Sequence, residues 1–258
     1  MGKCAIAFLC LGVGTLSVHA KGPPREIPFE VQIRICSEVS GENPSWDELR
    51  RRFGLGRSEL QTFSTWFLDT PTLEMNDKGL TLRLREPPRS GEKTEFVVKS
   101  WVKDARRVLE SWWDLEDFKC ESNFYPGPFV NDQCGLKTRT LLPRSISGLS
   151  VSQLLKGFSQ DQKTFLQDLG VLQTLPSSLR LLGPLRSVKI EGAIEIDQWI
   201  LPDGTRDTEI SQKTLRSPEA TLSDLRGKLE GSGFAVCPEQ RGRTRRALAE
   251  LLKQIQID

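Results

Sequence analysis

FSTWFLDTPTLEMNDKGLTLRLREPPRSGEKTEFVVKS, the stretch from Phe63 to Ser100, decides the fold of this chain. Within it, Leu80 to Arg85 reads LTLRLR, and because successive side chains of a strand point to opposite faces, Arg83 and Arg85 share one face. The leucines lie on the other face and require a core. After a turn rich in proline and glycine, EFVVKS continues the period of two and ends on Lys99. The stretch therefore predicts a hairpin with one apolar and one charged face.

Two structures fit such a hairpin. In an open sheet, the two arginines would face bulk water and only make the protein soluble. In a closed barrel of about eight strands, the same face would point into the lumen. The pattern alone leaves both open.

The same alternation recurs along the chain. Phe29 to Cys36 reads FEVQIRIC and places Glu30, Gln32 and Arg34 opposite an apolar face. Further strands are predicted at Glu59–Leu68, Arg107–Asp117, Gly135–Leu142, within Ser178–Ile200, and at Asp207–Thr214.

Helices are predicted where apolar residues recur at helical spacing. They cover Asn43–Gly54, one or two segments within Ser150–Leu175, and the two closing segments Pro218–Leu229 and Arg241–Ile255. The three arginines of the first helix, Arg50 to Arg52, are expected to face solvent. No linker divides the chain, so residues 21–258 are expected to form one domain.

Residues 1–20 have the pattern of a secretory signal: Lys3, an apolar run from Ala5 to Leu16, and a small-residue ending at Ala20. The alternative is a membrane anchor, but this run is shorter than the roughly 20 residues that span a bilayer. Cleavage after Ala20 would remove His19, the only histidine. A secreted or periplasmic chain is therefore expected, in which histidine takes no part in catalysis or in metal binding.

Four cysteines follow the signal segment, an even number that suits two disulfides in an oxidising compartment. Cys120 and Cys134 bracket a segment rich in turn residues, so we pair them, and Cys36 with Cys237 follows. Three pairings are open to four cysteines. The balance of 36 Lys and Arg against 34 Asp and Glu gives no reason to expect a nucleic-acid or membrane partner.

These charged strands resemble the CYTH family, the triphosphate tunnel metalloenzymes, over roughly Phe29 to Thr214. Members carry E-x-E-x-K on a first strand, a Y-F-D-T-like turn, L-R-x-R, a lysine strand, a late aspartate and a closing E-x-E. The matching positions here are Glu30 and Arg34, Phe67–Thr70 with Leu73, Gly79–Arg85, Lys99, Asp197 and Glu209.

The resemblance implies an α+β fold, an eight-stranded antiparallel β-barrel with flanking helices and a charged tunnel. It implies that Arg34, Arg83, Arg85 and Lys99 bind triphosphate. It also implies that Glu30, Asp197 and Glu209 hold Mg²⁺ or Mn²⁺ and act in catalysis. Guanidinium groups match phosphate oxygens, and hard carboxylate oxygens suit these cations.

Three positions depart from the family pattern. Gln32 and Ser211 stand where family members have glutamates, and Arg34 replaces a lysine. The resemblance and these departures together favour two alternative functions. One is a divalent-metal-dependent hydrolase of triphosphate, nucleoside triphosphate or polyphosphate. The other is a catalytically weakened tunnel protein that binds a phosphate-rich anion or another partner. A cyclase is a third alternative, disfavoured because ATP is scarce outside the cell.

Overall fold

The structure is a computed structural model that describes residues 26–35, 46–54, 60–89, 91–127, 130–170, 175–230, 234, 236–238, 240 and 242–255. The predicted signal segment and Cys36 lie outside these ranges. The pairing of Cys36 with Cys237 therefore stays a prediction. Cys237 lies beside the first strand, where its N–H donates to the carbonyl oxygen of Arg34 at 2.9 Å.

Nine strands in these ranges form a closed barrel. They are β1 (Phe29–Ile35), β2 (Gln61–Asp69), β3 (Leu80–Glu86), β4 (Thr94–Val102), β5 (Phe118–Phe124), β6 (Val130–Thr140), β7 (Arg180–Ile190), β8 (Glu195–Ile200) and β9 (Arg206–Thr214). Around the barrel the order is β1-β5-β6-β4-β3-β2-β7-β8-β9, and β9 pairs with β1.

The expected barrel was closed, but the prediction of eight antiparallel strands is wrong. The barrel is mixed, because β1 pairs in parallel with β5 from Phe29 opposite Ser122 to Val31 opposite Phe124. The other strand pairs are antiparallel. The parallel pair joins segments about ninety residues apart in the chain, a contact that no local pattern signals.

The strand predicted from Arg107 to Asp117 is also wrong. A short 3₁₀ turn (Ala105–Arg107) ends at the first residue of this segment, a one-turn helix (Glu110–Trp113) lies within it, and β5 begins only at Phe118. The adjacent Trp112 and Trp113 break the period of two. Both rings instead pack edge-on or tilted against Phe118.

The predicted Cys120–Cys134 disulfide is confirmed, with a sulfur–sulfur distance of 1.95 Å. The two residues lie directly opposite each other in β5 and β6. The segment between them was expected to be a loop, but strand residues up to Phe124 and from Val130 fill most of it. The disulfide therefore links two neighbouring strands of the barrel wall.

The apolar faces of the strands point outward and are covered by helices. Leu82, Leu84 and Phe96 belong to a core shared with Phe158 and Phe165 of the helical segment after β6. On the other side of the barrel, residues of β1, β8 and β9 pack against the first helix and a late helix. The charged faces are thereby left to the lumen.

Five of the helices in the described ranges lie near predicted positions, whereas the short helices Glu74–Asp77 and Glu110–Trp113 were not predicted. The helices are α1 (Trp46–Arg52), α2 (Glu74–Asp77), α3 (Glu110–Trp113), α4 (Val151–Gly157), α5 (Gln160–Asp168), α6 (Pro218–Glu230) and α7 (Arg243–Ile255). None of those within the described ranges has both the length and the apolar character needed to cross a membrane.

Helix α7 packs against one end of the lumen. Ala247, Leu248 and Leu251 of α7 share a core with Phe67 and Trp199. Phe67 lies opposite Arg83 in the β2–β3 register, so it is on the lumen side of its strand. The first turn of α7 is consequently held close to the charged interior.

Candidate functional site

The lumen contains two neighbouring cavities of about 370 and 330 Å³. The second lies toward α7. Both are lined by residues that the strand alternation turns inward: Glu30, Arg83, Arg85, Lys99, Lys189 and Glu195. Asp197 and Glu209 line the second cavity only, whereas Arg34 lines neither. Six of the seven residues singled out from the sequence thus face a common interior.

Arg83 is one of the cations that line both cavities. Among the described residues it has no hydrogen bond and no ion pair, and its Nε atom is buried without a partner. Burial lowers the pKa of Arg83 and the neighbouring Arg85 lowers it further, while Glu95 and Asp197 offset only part of this effect. Holding this charge inside the barrel is therefore unfavourable until an anion approaches it.

Arg85 is held by the barrel itself. Its Nη2 atom donates to Asp197 at 3.3 Å, and its Nη1 atom lies 3.6 Å from Glu95. The guanidinium also lies 5.7 Å from the centre of the Phe63 ring. Burial alone would raise the pKa of Glu95, but Arg85 and three further cations outweigh it and lower that pKa.

Lys99 shares a carboxylate with Lys213. Their ammonium groups lie 3.1 and 3.0 Å from the two oxygens of Glu121, and Lys99 also donates to Gln133 at 3.2 Å. Burial would raise the pKa of Glu121, yet the two lysines lower it overall. An anion near Lys99 would therefore compete with a fixed internal carboxylate.

Glu30 differs from the other acids of the lumen. Gln32 donates to its Oε2 atom at 2.8 Å, and Ser211 donates to its Oε1 atom at 3.4 Å. Burial, followed by repulsion from Glu121, raises the pKa of Glu30 to about 8. At neutral pH Glu30 is mostly a neutral carboxyl, which is a poor ligand for a hard divalent cation.

Asp197 and Glu209 lie opposite each other on β8 and β9, and an arginine lies between them. The Nη1 atom of Arg243 is 3.6 Å from Asp197 and 3.5 Å from Glu209. Burial would raise the pKa of Asp197, but Arg243 and Arg85 outweigh it and lower that pKa. The pKa of Glu209 stays raised, because burial outweighs the effect of Arg243.

Arg34 is paired with Asp207 on the neighbouring strand. Its Nε and Nη2 atoms donate to the two carboxylate oxygens at 3.1 and 2.7 Å. Both side chains are about nine-tenths buried. In this arrangement Arg34 stabilises the barrel wall and is separated from the cavities.

The acids predicted to hold Mg²⁺ or Mn²⁺ are each engaged by a neighbouring side chain in this structure, and their role as metal ligands stays a prediction. Magnesium requires several oxygen atoms converging at about 2.0–2.1 Å. In the described residues, no group of three or more His, Cys, Asp or Glu side chains is arranged to hold a metal ion. Glu30 is bound to Gln32, while Asp197 and Glu209 face the guanidinium of Arg243.

Two features of the site were not found from the sequence. Glu121 lies on β5, the strand that was mistaken for a loop, although the alternation of Lys119, Glu121 and Asn123 could have indicated it. Arg243 belongs to the arginine-rich start of α7, where nothing local distinguishes a buried arginine from an exposed one.

Solved structures share this architecture at low sequence identity. One is a candidate adenylyl cyclase from Hippeastrum described as having a dominant triphosphatase activity, with 16% identity, 85% of this chain and 94% of that chain covered, and a TM-score of 0.55. The chain has the triphosphate tunnel fold. A candidate adenylate cyclase from Bacillus halodurans has this fold too, with 17% identity, 86% and 97% of the two chains covered, and a TM-score of 0.50.

No protein-family model matches the sequence, and no curated protein is significantly similar to it. At such identities, the likeness extends to the tunnel fold and not to a particular reaction. The activity has to be argued from the residues of this lumen.

Proposed function

We propose that this chain binds a phosphate-rich anion, of the triphosphate or polyphosphate type, in the lumen of its tunnel. The observation that carries the proposal is Arg83: a buried guanidinium that lines both cavities and has no hydrogen bond or ion pair among the described residues. An anion is the ligand that such a charge favours.

Phosphate oxygens suit this position chemically. A guanidinium can donate two parallel hydrogen bonds to them, and such charge-assisted bonds contribute about 1.5–3 kcal/mol each. Lys119 and Lys137 add positive charge along the wall of the first cavity. Arg85 and Lys99 lie close by but already hold carboxylates, so they contribute mainly to the local potential.

Hydrolysis of the bound anion stays a prediction of the family resemblance. The arrangement of the acids supports binding better than metal-dependent catalysis, because Asp197 and Glu209 face the guanidinium of Arg243 and Glu30 is held by Gln32. Phosphate release from tripolyphosphate with Mg²⁺ or Mn²⁺ would test the enzyme directly. A turnover lost in Asp197→Asn would favour the hydrolase over the binding protein.

The binding proposal is tested by calorimetric titration of the refolded mature chain with tripolyphosphate. Arg83→Ala should weaken binding by about 1–3 kcal/mol, or roughly 5- to 150-fold, because it removes a buried cation that has no hydrogen bond or ion pair among the described residues. Arg51→Ala is the matched control, since Arg51 is an exposed arginine on α1.

Two results would count against the proposal. Absence of tripolyphosphate binding by the folded chain would refute the binding proposal. Equal, small losses in Arg83→Ala and Arg51→Ala would indicate diffuse surface attraction instead of a site in the lumen.

We also propose that the protein acts outside the cytosol. The Cys120–Cys134 disulfide supports an oxidising compartment, as expected for a chain that loses residues 1–20. Amino-terminal sequencing of the protein from its native source would test cleavage after Ala20.

A further inference from the structure

Arg243 has the best-defined surroundings of the arginines in the lumen. It is the first residue of α7, and its side chain is 8% exposed. Its Nη2 atom donates to the carbonyl oxygens of Asp197 at 2.7 Å and Asp207 at 3.1 Å. Its guanidinium lies over the Trp199 ring, 4.0 Å from the ring centre. The guanidinium is thus fixed in one position by three groups on two strands.

The same guanidinium also faces the acids of this end of the lumen. Besides Asp197 and Glu209, which lie 3.6 and 3.5 Å from Nη1, the carboxylate of Asp207 lies 3.6 Å from Nε. These distances fit ion pairs within the barrel. They place one positive charge between carboxylates of neighbouring strands.

A divalent cation bound by Asp197 and Glu209 would need the same space. Its oxygen ligands lie about 2 Å from the metal, so the ion would sit between the two carboxylates, where Nη1 of Arg243 lies. Gln32 and Ser211, which lie opposite each other on β1 and β9, are neutral and add no carboxylate to this pair.

We propose that Arg243 is the resident cation of this lumen, occupying the position between Asp197 and Glu209 and keeping divalent cations out of it. A consequence, which rests on the proposed function, is that this chain binds its anion without a metal. Arg243 acts by holding the two carboxylates and is a positioning residue, with no contact to the anion assumed.

The first test measures Mn²⁺ binding in the absence of any anion, by electron paramagnetic resonance. The wild-type chain and Arg51→Ala should show no site at Mn²⁺ concentrations up to about 1 mM. Arg243→Met keeps the apolar stem over Trp199 but removes the charge, and it should bind Mn²⁺ at least tenfold more tightly. Adding Asp197→Asn to this variant should abolish the gain.

Arg243→Lys separates charge from shape. Lysine keeps the positive charge and should still exclude Mn²⁺, although it cannot reproduce the paired contacts of the guanidinium. If Arg243→Lys gained Mn²⁺ affinity as strongly as Arg243→Met, the exclusion would not come from charge and the proposal would be overturned. A folded Arg243→Met variant without any gain would overturn it as well.

If Arg243→Met does not fold, titration of the wild-type chain with Mn²⁺ still tests whether divalent cations are excluded. Mn²⁺ binding by the wild-type chain that disappears in Asp197→Asn would overturn the proposal, and its absence would support it. Folding of each variant is checked by circular dichroism.

The second test titrates tripolyphosphate into wild-type protein in buffer with EDTA. Affinity within about twofold of that in untreated buffer would support metal-free binding. Binding lost in EDTA and restored by Mg²⁺ would overturn the inference and leave the proposed function standing. Absence of binding under both conditions would overturn the proposed function and, with it, metal-free binding. The Mn²⁺ titrations would then still test whether Arg243 keeps divalent cations away from Asp197 and Glu209.

Discussion

Replacement of Arg34 by alanine separates a structural arginine from a ligand-binding one. Arg34 donates two hydrogen bonds to Asp207, and removing one partner of a buried ion pair costs about 3–5 kcal/mol. Arg243 and Arg246 remain 3.6 and 3.5 Å from Asp207 and compensate part of its charge. The loss should therefore be near the lower end, about 3 kcal/mol.

For a domain of this size, each kcal/mol lowers the melting temperature by about 2–4 °C, so Arg34→Ala should melt about 6–12 °C below the wild type. Its affinity for tripolyphosphate should remain within about twofold, because Arg34 lines neither cavity. Differential scanning calorimetry and calorimetric titration measure the two quantities. Arg51→Ala serves as the control and should change neither.

The opposite pattern would refute this reasoning. If Arg34→Ala weakened tripolyphosphate binding tenfold or more and left the melting temperature unchanged, Arg34 would act on the ligand, as the family resemblance implies.

Three further results are expected. Replacing Cys120 and Cys134 together by serine should cost about 3 kcal/mol in urea unfolding, since the bond closes a segment with a sequence separation of 14; equal stability would show that the strand pairing suffices. Because the pKa of Glu30 rises from 4.5 to about 8 on folding, the folded chain holds a proton that the unfolded chain releases, and stability should fall as pH rises from about 5 to 8. In Glu30→Gln, the free energy of unfolding measured in EDTA should fall less steeply with pH. An unchanged pH dependence would show that other groups cause the fall. Gln32→Glu combined with Ser211→Glu should create Mn²⁺ affinity beside Glu30 and lower stability without metal, whereas a folded double variant without Mn²⁺ affinity would show that added carboxylates are not enough.

Local alternation was enough to predict strands with one apolar and one charged face. In Leu80–Arg85 the period of two separates leucines from arginines, and the structure turns the leucines to the helices and the arginines to the lumen. Charge alone did not distinguish a lumen from an open face. Closure of the barrel does, because it leaves the inward face without bulk solvent.

Closure itself depends on contacts that the sequence does not signal. The parallel pairing of β1 with β5 brings Phe29 beside Ser122, and β5 was hidden between a tryptophan-rich helix and a turn. The site was incomplete for a similar reason. Arg243 is one of three arginines in the first turn of an amphipathic helix, and only the packing of α7 against Trp199 shows that this one is buried.

The central claim is that the anion is bound inside the lumen at Arg83. A crystal structure of the mature chain with tripolyphosphate tests it most directly. The account predicts phosphate oxygens within hydrogen-bond distance of the Arg83 guanidinium, with Arg243 still between Asp197 and Glu209. Tripolyphosphate bound only on the outer surface, with Arg83 untouched, would contradict it.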